Sequence, residues 1–216
     1  MKPYRTVSTA SETEYIVNRS RFIGRCFPVN DEKEALSILE RIKKQHWDAT
    51  HNCFAYRLRS GEARYSDDGE PQGTAGLPMM EVLRKRGLCD LLVVSTRYFG
   101  GILLGAGGLV RAYTRSASDA VDAAGLVSME PCMRFSVRFA YPYRNAVWSV
   151  FERFGAIEST DYGEAITCVF RCRTADTDAF LKALSERTEG RVCAEAVGES
   201  YFGFPATDPN SYQFYL

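Results

Sequence analysis

The first part of the chain alternates short apolar runs with segments of helical periodicity. Runs rich in β-branched and aromatic residues predict strands, and apolar residues spaced three and four positions apart predict helices. The predicted order is strand, strand, helix, strand, strand, helix, over residues 14–17, 22–27, 31–45, 48–58, 63–66 and 78–87. Pro78 is expected to open the second helix at its first position, and Gly87 is expected to end it.

The next segment, residues 91–124, joins a buried strand to a helix through a glycine-rich stretch. Residues 91–94 are an uninterrupted apolar run with β-branched members, which predicts a strand buried on both faces. From Leu109 onward apolar residues recur at helical spacing. Five glycines lie between this strand and this helix, at Gly100, Gly101, Gly105, Gly107 and Gly108.

This glycine-rich stretch predicts an anion-binding site at the start of the helix. A strand, a glycine loop and a helix N-terminus leave backbone N–H groups pointing outward. Arg111 is expected in the first helical turn and Arg115 one turn later on the same side. The helix macrodipole opposes cations at that end by roughly 0.3–1 kcal/mol, so an external anion would explain them. In the alternative, the glycines only allow close helix packing, and Arg115 pairs with Asp119.

Residues 67–76 form a second segment without a large apolar side chain. The segment carries Asp67, Asp68 and Glu70 together with three glycines and a proline. A solvated loop is one interpretation, but such loops inside a compact domain are more often functional. The three carboxylates could hold Mg²⁺, or they could pair with the arginines of residues 97–115 in one shared cleft.

His51 and Cys53 lie two positions apart in a predicted strand and therefore share a face. A Cys–His nucleophile pair also needs an orienting third group and a pocket, which the sequence does not indicate, so a structural histidine is favoured. His51 nevertheless remains a candidate for the ligand site. The other candidates for this site are Arg97, Tyr98, Gly100, Gly101, Gly105, Gly107, Gly108, Arg111, Arg115, Asp67, Asp68 and Glu70.

The pattern after residue 131 predicts a second domain. Its strands and helices follow the order βαββαβ, over residues 135–139, 145–154, 157–162, 165–172, 177–187 and 191–197. This is the order of the ferredoxin-like split βαβ fold. The sequence therefore predicts an α+β protein with domains at 1–130 and 131–200, followed by an aromatic tail at 201–216.

The open face of the second sheet is expected to carry four arginines, which are Arg134, Arg138, Arg171 and Arg173. The first and third strands are central neighbours in this fold, and alternation places these side chains opposite the helices. They predict a surface that follows a nucleic-acid phosphate backbone. No aromatic residue is expected among them, so base stacking is not predicted. The alternative is a solvated face whose arginines have acidic partners across the strands.

The aromatic tail is a separate feature. It holds six aromatic residues in the last sixteen positions, at Tyr201, Phe202, Phe204, Tyr212, Phe214 and Tyr215. Such a cluster is expected to dock on its own domain or on another chain. The sequence leaves the oligomeric state open.

The charge balance, the apolar runs and the cysteine spacing exclude several classes of protein. The 216 residues include 27 basic and 27 acidic ones, so any nucleic-acid surface must be a local patch. No apolar run approaches the roughly 18 residues of a membrane span, and no signal-peptide pattern opens the chain, so a cytoplasmic protein is expected. The seven cysteines form no CxxC pair and are expected to be reduced thiols. No cofactor and no bound metal are predicted.

Several short motifs resemble those of the YigZ/IMPACT family. They are SRFI at 20–23, ATHNC at 49–53, DDGEP at 67–71, GTAG at 73–76, RYFGG at 97–101 and LGAGGLVRAY at 104–113. The resemblance covers most of residues 15–125 and implies a ribosomal-protein-S5-domain-2-like fold there. The second half resembles the C-terminal domain of bacterial members, which is similar in fold to the last domain of elongation factor G. The family's eukaryotic members are translation regulators that bind other proteins, and the resemblance implies no catalytic residues.

Together these observations predict a cytoplasmic, translation-associated binding protein rather than an enzyme. Its expected partners are the ribosome, RNA or a translation-associated protein, and no membrane is involved. The alternative is a metal-assisted enzyme acting on a phosphorylated small molecule, with Asp67, Asp68 and Glu70 holding the metal or acting as base. The lack of a P-loop lysine and of a convincing nucleophile disfavours this alternative. A third hypothesis is a protein-docking module that uses the acidic loop.

Overall fold

The computed structural model describes residues 1–205. The chain divides into two compact units: the N-terminal unit is Tyr4–Ser128, and the C-terminal unit runs from Met129 onward and includes Met1–Pro3. Both units combine helices with a sheet, so the predicted α+β fold with two domains is confirmed.

The N-terminal unit is built around one antiparallel sheet with helices on both faces. Its elements are β1 (Tyr4–Val7), β2 (Ser11–Val17), β3 (Ser20–Pro28), α1 (Glu32–Gln45), β4 (His51–Arg57), β5 (Ala63–Ser66), α2 (Gly76–Lys85), β6 (Leu91–Tyr98) and α3 (Gly105–Ala123). The order of strands in the sheet is β2-β3-β6-β4-β5, and β1 is not part of it. Strand β6 lies at the centre and pairs with β3 and β4, which confirms the buried strand that the apolar run predicts.

Alternation along the central strand distributes its side chains between two cores. Leu91 and Val93 pack with α2 and α3 on one face of the sheet. Leu92 and Val94 pack with α1 on the other face. Because successive strand residues point to opposite faces, Arg97 is directed toward the α3 side and Tyr98 toward the α1 side. This alternation decides which of the candidate residues can share a site.

The second glycine cluster belongs to helix α3 and not to the loop before it. The helix begins at Gly105, so Gly107 and Gly108 lie in its first turn. Arg111 therefore lies in the second turn, and the prediction that it lies in the first turn is wrong. Gly105 has a φ of +67°, a backbone conformation that glycine adopts without steric cost and that allows the chain to turn into the helix here. Likewise, α2 begins at Gly76, two residues before Pro78.

The C-terminal unit has the predicted βαββαβ order. Its elements are β7 (Leu126–Phe139), whose first residues precede the unit, α4 (Arg144–Phe154), β8 (Gly155–Tyr162), β9 (Ile166–Arg173), α5 (Thr177–Arg187) and β10 (Ala194–Pro205). The strands lie in the order β10-β7-β9-β8, so the first and third strands of the motif are central neighbours. Apolar side chains from β7 and β9 form a core with both helices. The ferredoxin-like arrangement is therefore confirmed.

The last strand is longer than the sequence predicts. Strand β10 continues to Pro205, so Tyr201, Phe202 and Phe204 belong to the sheet and not to a separate tail that starts at residue 201. The Tyr201 hydroxyl donates to the Lys2 carbonyl at 2.9 Å. The remaining aromatic residues of the predicted tail, Tyr212, Phe214 and Tyr215, lie outside the described residues. None of the helices within residues 1–205 has the length and apolarity needed to span a membrane.

Candidate functional site

A cleft of about 360 Å³ lies in the N-terminal unit where β4 begins, β6 ends and α3 starts. Its polar lining consists of Thr50, His51, Glu70 and Arg97. Its apolar lining consists of Pro71, Phe99, Leu103, Leu104 and Leu109. His51 and Arg97 face each other as cross-strand partners in the β4–β6 ladder, which explains why residues 46 positions apart meet here. The volume lies within the range of small-molecule sites.

Arg97 is the most buried cation of the cleft, with 5% of its surface exposed. Its Nη1 lies 2.6 Å from Oε1 of Glu70, and its Nη2 donates to Ser20 Oγ at 3.3 Å. The guanidinium also contacts the Phe22 and Phe99 rings, at 5.4 and 5.5 Å from their centroids. Its Nε–H is buried and has no hydrogen-bond acceptor within residues 1–205. A buried donor without an acceptor is costly, so the surrounding residues do not fully satisfy the Arg97 guanidinium.

The predicted contact between the acidic loop and the arginines of residues 97–115 is confirmed for Glu70 and Arg97. Glu70 Oε1 also accepts a hydrogen bond from the Tyr113 hydroxyl at 2.7 Å. Burial raises the pKa of the Tyr113 phenol well above its ordinary value, with smaller contributions from Cys53 and Glu70, so this hydroxyl stays protonated and donates. Glu70 is therefore held as a carboxylate acceptor by two donors on one of its oxygens.

The other two carboxylates of the loop have structural partners, and for them the predicted pairing with arginine is wrong. Asp67 accepts the backbone N–H groups of Gly73, Ala75 and Gly76 at 2.8–3.0 Å and so caps the start of α2. Asp68 accepts the Asn52 N–H at 2.7 Å and the Lys43 ammonium at 2.6 Å. The described residues contain no group of three or more His, Cys, Asp or Glu side chains arranged to hold a metal ion.

His51 and Cys53 are directed to different carbonyl oxygens of the acidic loop. Nδ1 of His51 lies 2.8 Å from the Asp68 carbonyl, and Cys53 Sγ donates to the Asp67 carbonyl at 3.0 Å. Burial raises the pKa of the Cys53 thiol to about 12, which leaves it a poor nucleophile. The geometry therefore gives no support to a Cys–His nucleophile pair.

The glycines near the cleft differ in what they do. A Cβ on Gly100 would lie 2.0 Å from the carbonyl carbon of Arg19, so this residue allows two backbone segments to approach each other. Gly101 has a φ of +83° at the turn that follows. Gly105 and Ala106 line the cleft at the exposed start of α3. This helix has neither a side-chain cap at Leu104 nor an acidic residue in its first turn, so its N–H groups have no anionic partner from the helix.

The two arginines of α3 do not line the cleft. Arg111 is exposed, and its Nη1 lies 3.6 Å from the position that a Cβ on Gly107 would take. Arg115 pairs with Asp119 at 3.3 Å and lies 4.2 Å from the centroid of the Tyr15 ring. Arg115 thus makes the ion pair with Asp119 that the alternative interpretation of the sequence predicted. Within residues 1–205, Glu70 pairs with Arg97, Tyr113 and His51, and neither arginine of α3 is among its partners.

Tyr98 belongs to a separate polar network on the α1 face of the sheet. Its hydroxyl lies 2.8 Å from His46 Nδ1 and donates to Asp48 at 3.2 Å. His46 Nε2 accepts from Nη2 of the buried Arg25 at 2.7 Å, and Arg25 in turn pairs with Glu12. The prediction that Tyr98 shares the site with Arg97 is therefore wrong, because adjacent strand residues face opposite sides.

The four arginines of the C-terminal sheet lie on its helix-free face, as the alternation predicts, but they are not surrounded only by polar residues. Glu158 pairs with Arg134 at 2.7 Å and with Arg171 at 3.5 Å. Arg171 and Arg173 stack over the rings of Phe202 and Phe204, at 3.4 and 4.3 Å from the centroids. The expectation that no aromatic residue lies among these arginines is wrong, because the extended β10 brings two rings to this face.

The fourth arginine of this face, Arg138, is exposed. It has no ion-pair partner within the part of the chain that the structure describes.

Several residues that line the cleft or contact its charged side chains were not predicted from the sequence. Ser20 is fully buried and accepts hydrogen bonds from both Arg97 and the Gly100 N–H. Thr50 Oγ1 accepts the Phe99 N–H at 3.0 Å. Leu103 is 84% exposed at the mouth of the cleft. Ser20 lies within the SRFI motif and Tyr113 within LGAGGLVRAY, so the motifs indicated the right segments. A motif does not reveal which of its side chains contact the charged residues of a cleft.

Comparison with known proteins covers both units. Residues 18–121 match the Impact N-terminal domain, and residues 147–191 match a domain of unknown function (DUF1949). The chain is 40% identical over 191 residues to the IMPACT family member YvyE of Bacillus subtilis, covering 87% of this chain and 88% of that protein. It is 35% identical over 182 residues to an IMPACT family member of Thermus thermophilus, covering 83% of this chain and 99% of the relative.

A crystal structure of a hypothetical protein is similar over nearly its whole length. The TM-score is 0.58 at 27% sequence identity, and the match covers 92% of this chain and 98% of the other. The motifs that line and support the cleft are SRFI, ATHNC, DDGEP, RYFGG and LGAGGLVRAY, and all of them lie within the matched N-terminal domain. On these similarities, the chain belongs to the IMPACT family.

Proposed function

We propose that this protein is a cytoplasmic, translation-associated binding protein that contacts the ribosome or RNA by holding an anionic group in the Arg97 cleft. The observation that carries the proposal is the position of Arg97. This cation is 5% exposed, lines the cleft and has a buried Nε–H without an acceptor within residues 1–205. Family membership supports the association with translation, because eukaryotic members resembling this chain are translation regulators.

The start of α3 supplies the second part of the proposed anion site. The first N–H groups of a helix have no partner within the helix, and the macrodipole adds about half a positive charge there. Gly105 and Ala106 line the same cleft as Arg97, and the helix lacks a side-chain cap. A phosphate or carboxylate would satisfy these N–H groups. The apolar rim of Phe99, Leu103 and Leu104 would reduce the water around the anion and strengthen its interactions.

The metal-assisted enzyme receives no support from the geometry of the acidic loop. Of its three proposed metal ligands, Asp67 caps a helix and Asp68 holds Lys43 and a backbone N–H. Both carboxylates would have to give up these partners to bind a metal. Glu70 is held by Arg97 and Tyr113. A binding role is therefore the function that the cleft supports best.

Sedimentation with purified 30S, 50S and 70S particles across a salt series tests the proposal. Ala106→Glu would place a carboxylate at the anion site without disturbing the helix, since acidic residues are favourable in a first turn. Thr114→Glu is the matched control, because it adds the same charge at an exposed position of the same helix. We expect Ala106→Glu to reduce co-sedimentation at least about tenfold and Thr114→Glu to leave it unchanged. Equal binding by wild type and Ala106→Glu would contradict the proposal.

A further inference from the structure

The two oxygens of Glu70 are used differently. Oε1 accepts from Arg97 Nη1 at 2.6 Å and from the Tyr113 hydroxyl at 2.7 Å. Oε2 accepts no hydrogen bond within residues 1–205, and His51 Nε2 lies 3.7 Å from it, beyond hydrogen-bond distance. The Glu70 side chain is 3% exposed and lines the cleft. One oxygen of a largely buried carboxylate is therefore left without a protein donor at the cleft.

The His51 ring places a second nitrogen, Nε2, next to Glu70 Oε2. Its Nδ1 lies 2.8 Å from the Asp68 carbonyl, and because a carbonyl oxygen can only accept, Nδ1 carries the ring proton. In the neutral ring Nε2 is therefore an acceptor, held next to Glu70 Oε2. The 3.7 Å between Glu70 Oε2 and His51 Nε2 allows a ligand hydroxyl to lie within hydrogen-bond distance of both atoms. A hydroxyl can donate to one of them, and if His51 is protonated it can accept from the ring while donating to Glu70.

The cleft thus combines three recognition elements within about 360 Å³. They are the Glu70–His51 pair, the proposed anion site of Arg97 and the start of α3, and the Phe99 ring, which is 45% exposed. A ribonucleotide carries a sugar hydroxyl, a phosphate and a flat base on one compact unit. Carboxylates bind ribose hydroxyls in nucleotide-binding folds, and aromatic rings stack with bases. A peptide C-terminus would use the anion site but leave the acceptor pair without a donor.

We propose that the cleft binds a ribonucleotide unit, with the ribose 2′-hydroxyl at Glu70 Oε2 and His51 Nε2, the phosphate at the start of α3 and the base against Phe99. This inference rests on the proposed function and narrows it to RNA. The 2′-hydroxyl is the group by which a protein distinguishes RNA from DNA. The cleft therefore discriminates against DNA, which phosphate contacts alone do not do.

Fluorescence anisotropy with the full chain and three short single strands of one sequence tests the inference. The strands are RNA, DNA and 2′-O-methyl RNA, each with the same fluorophore. We expect RNA to bind about tenfold more tightly than the other two, which is the effect of one hydrogen bond to a charged acceptor. In His51→Ala the ratio of RNA affinity to DNA affinity should fall toward one. Ala106→Glu should weaken the binding of all three strands and leave this ratio unchanged. Thermal unfolding verifies that both variants are folded.

A competition experiment identifies the source of the ribonucleotide. Adenosine 5′-monophosphate should displace the RNA probe, and its 2′-deoxy analogue should fail to do so at the same concentration. If the monophosphate binds as tightly as the RNA strand, the ligand is a free nucleotide. If the strand binds more tightly than the monophosphate, the ligand is RNA.

Equal binding of the three strands by the wild type would overturn the inference, as would an unchanged RNA preference in His51→Ala. Either result leaves the proposed function intact if Ala106→Glu still reduces sedimentation with ribosomal particles. Conversely, a ribose preference that depends on His51, without any sedimentation, would support the ligand chemistry and contradict the association with ribosomes.

Discussion

Glu70 and Arg97 form a buried ion pair between residues 27 positions apart, with 2.6 Å between Oε1 and Nη1. Glu70 comes from a loop with few packing side chains, and Arg97 comes from the end of the central strand. A buried ion pair contributes little net stability, because desolvation offsets the attraction between the charges. Because both residues line the cleft, we expect the pair to fix the loop next to the proposed ligand site.

The first prediction concerns this ion pair. Glu70→Gln and Arg97→Met should each lower the free energy of unfolding by about 3–5 kcal/mol, because each leaves a buried charge without its partner. The double variant should lose less unfolding free energy than the two single variants lose together. Urea unfolding of all four proteins measures this coupling. Additive losses would show that the two residues act independently.

The second prediction compares two glycines near the cleft. Gly100→Ala should lower the unfolding free energy by about 1–3 kcal/mol, because its Cβ would lie 2.0 Å from the Arg19 carbonyl carbon. Gly107→Ala should raise it by up to about 1 kcal/mol, since alanine favours the helix and its Cβ would have only an ordinary contact with Arg111 at 3.6 Å. Thermal unfolding of the two variants gives the signs. A stable Gly100→Ala would mean that the backbones of residues 19 and 100 can separate without cost.

The third prediction concerns the pH dependence of stability through His46. Burial, followed by the nearby Arg25, lowers the pKa of His46 below its ordinary 6.5 in the folded protein. As the pH falls through about 6.5, the unfolded chain binds a proton that the folded protein does not bind, so stability decreases. The decrease ends below the lowered folded pKa, where both states are protonated. Protonation would also place a donor against Arg25 Nη2.

Urea unfolding at a series of pH values between about 4.5 and 8 measures how the free energy of unfolding changes on either side of the ordinary histidine pKa. His46→Gln should show a smaller loss of stability in the acidic part of this range than the wild type does. The facing groups Glu12, Asp48, Arg21 and Tyr98 are retained in both proteins and provide a common background. Parallel pH profiles for the two proteins would contradict the prediction.

The fourth prediction concerns the arginine face of the C-terminal unit. If this face follows a single-stranded phosphate backbone, Arg138→Ala with Arg171→Ala should reduce the log–log salt slope of RNA affinity by roughly 1.4. Glu158→Gln should increase affinity, because it removes the acidic partner of Arg134 and Arg171. Anisotropy titrations across a salt series measure both effects. An unchanged slope in the double variant, with an unchanged melting temperature, would exclude this face from RNA binding.

Local sequence pattern determined most of the fold. The apolar run at residues 91–94 indicated a strand buried on both faces because no polar residue interrupts it, and β6 is central. The βαββαβ order of the second half followed from changes of periodicity between two and 3.6 residues, which are local properties of the chain. The start of α3 did not follow from this pattern: the helix begins at Gly105, four residues before the first periodic apolar residue, because glycines in a first turn carry no apolar signal.

The partners of the charged residues were decided only by the tertiary structure. Sequence places Asp67, Asp68 and Glu70 in one loop and treats them alike, yet only Glu70 meets an arginine. The difference arises because strand register brings His51 opposite Arg97, while the turn into α2 directs the Asp67 carboxylate to three backbone N–H groups. An ion pair requires its two groups within a few ångströms, and that distance depends on the packing of the whole domain and not on spacing along the chain.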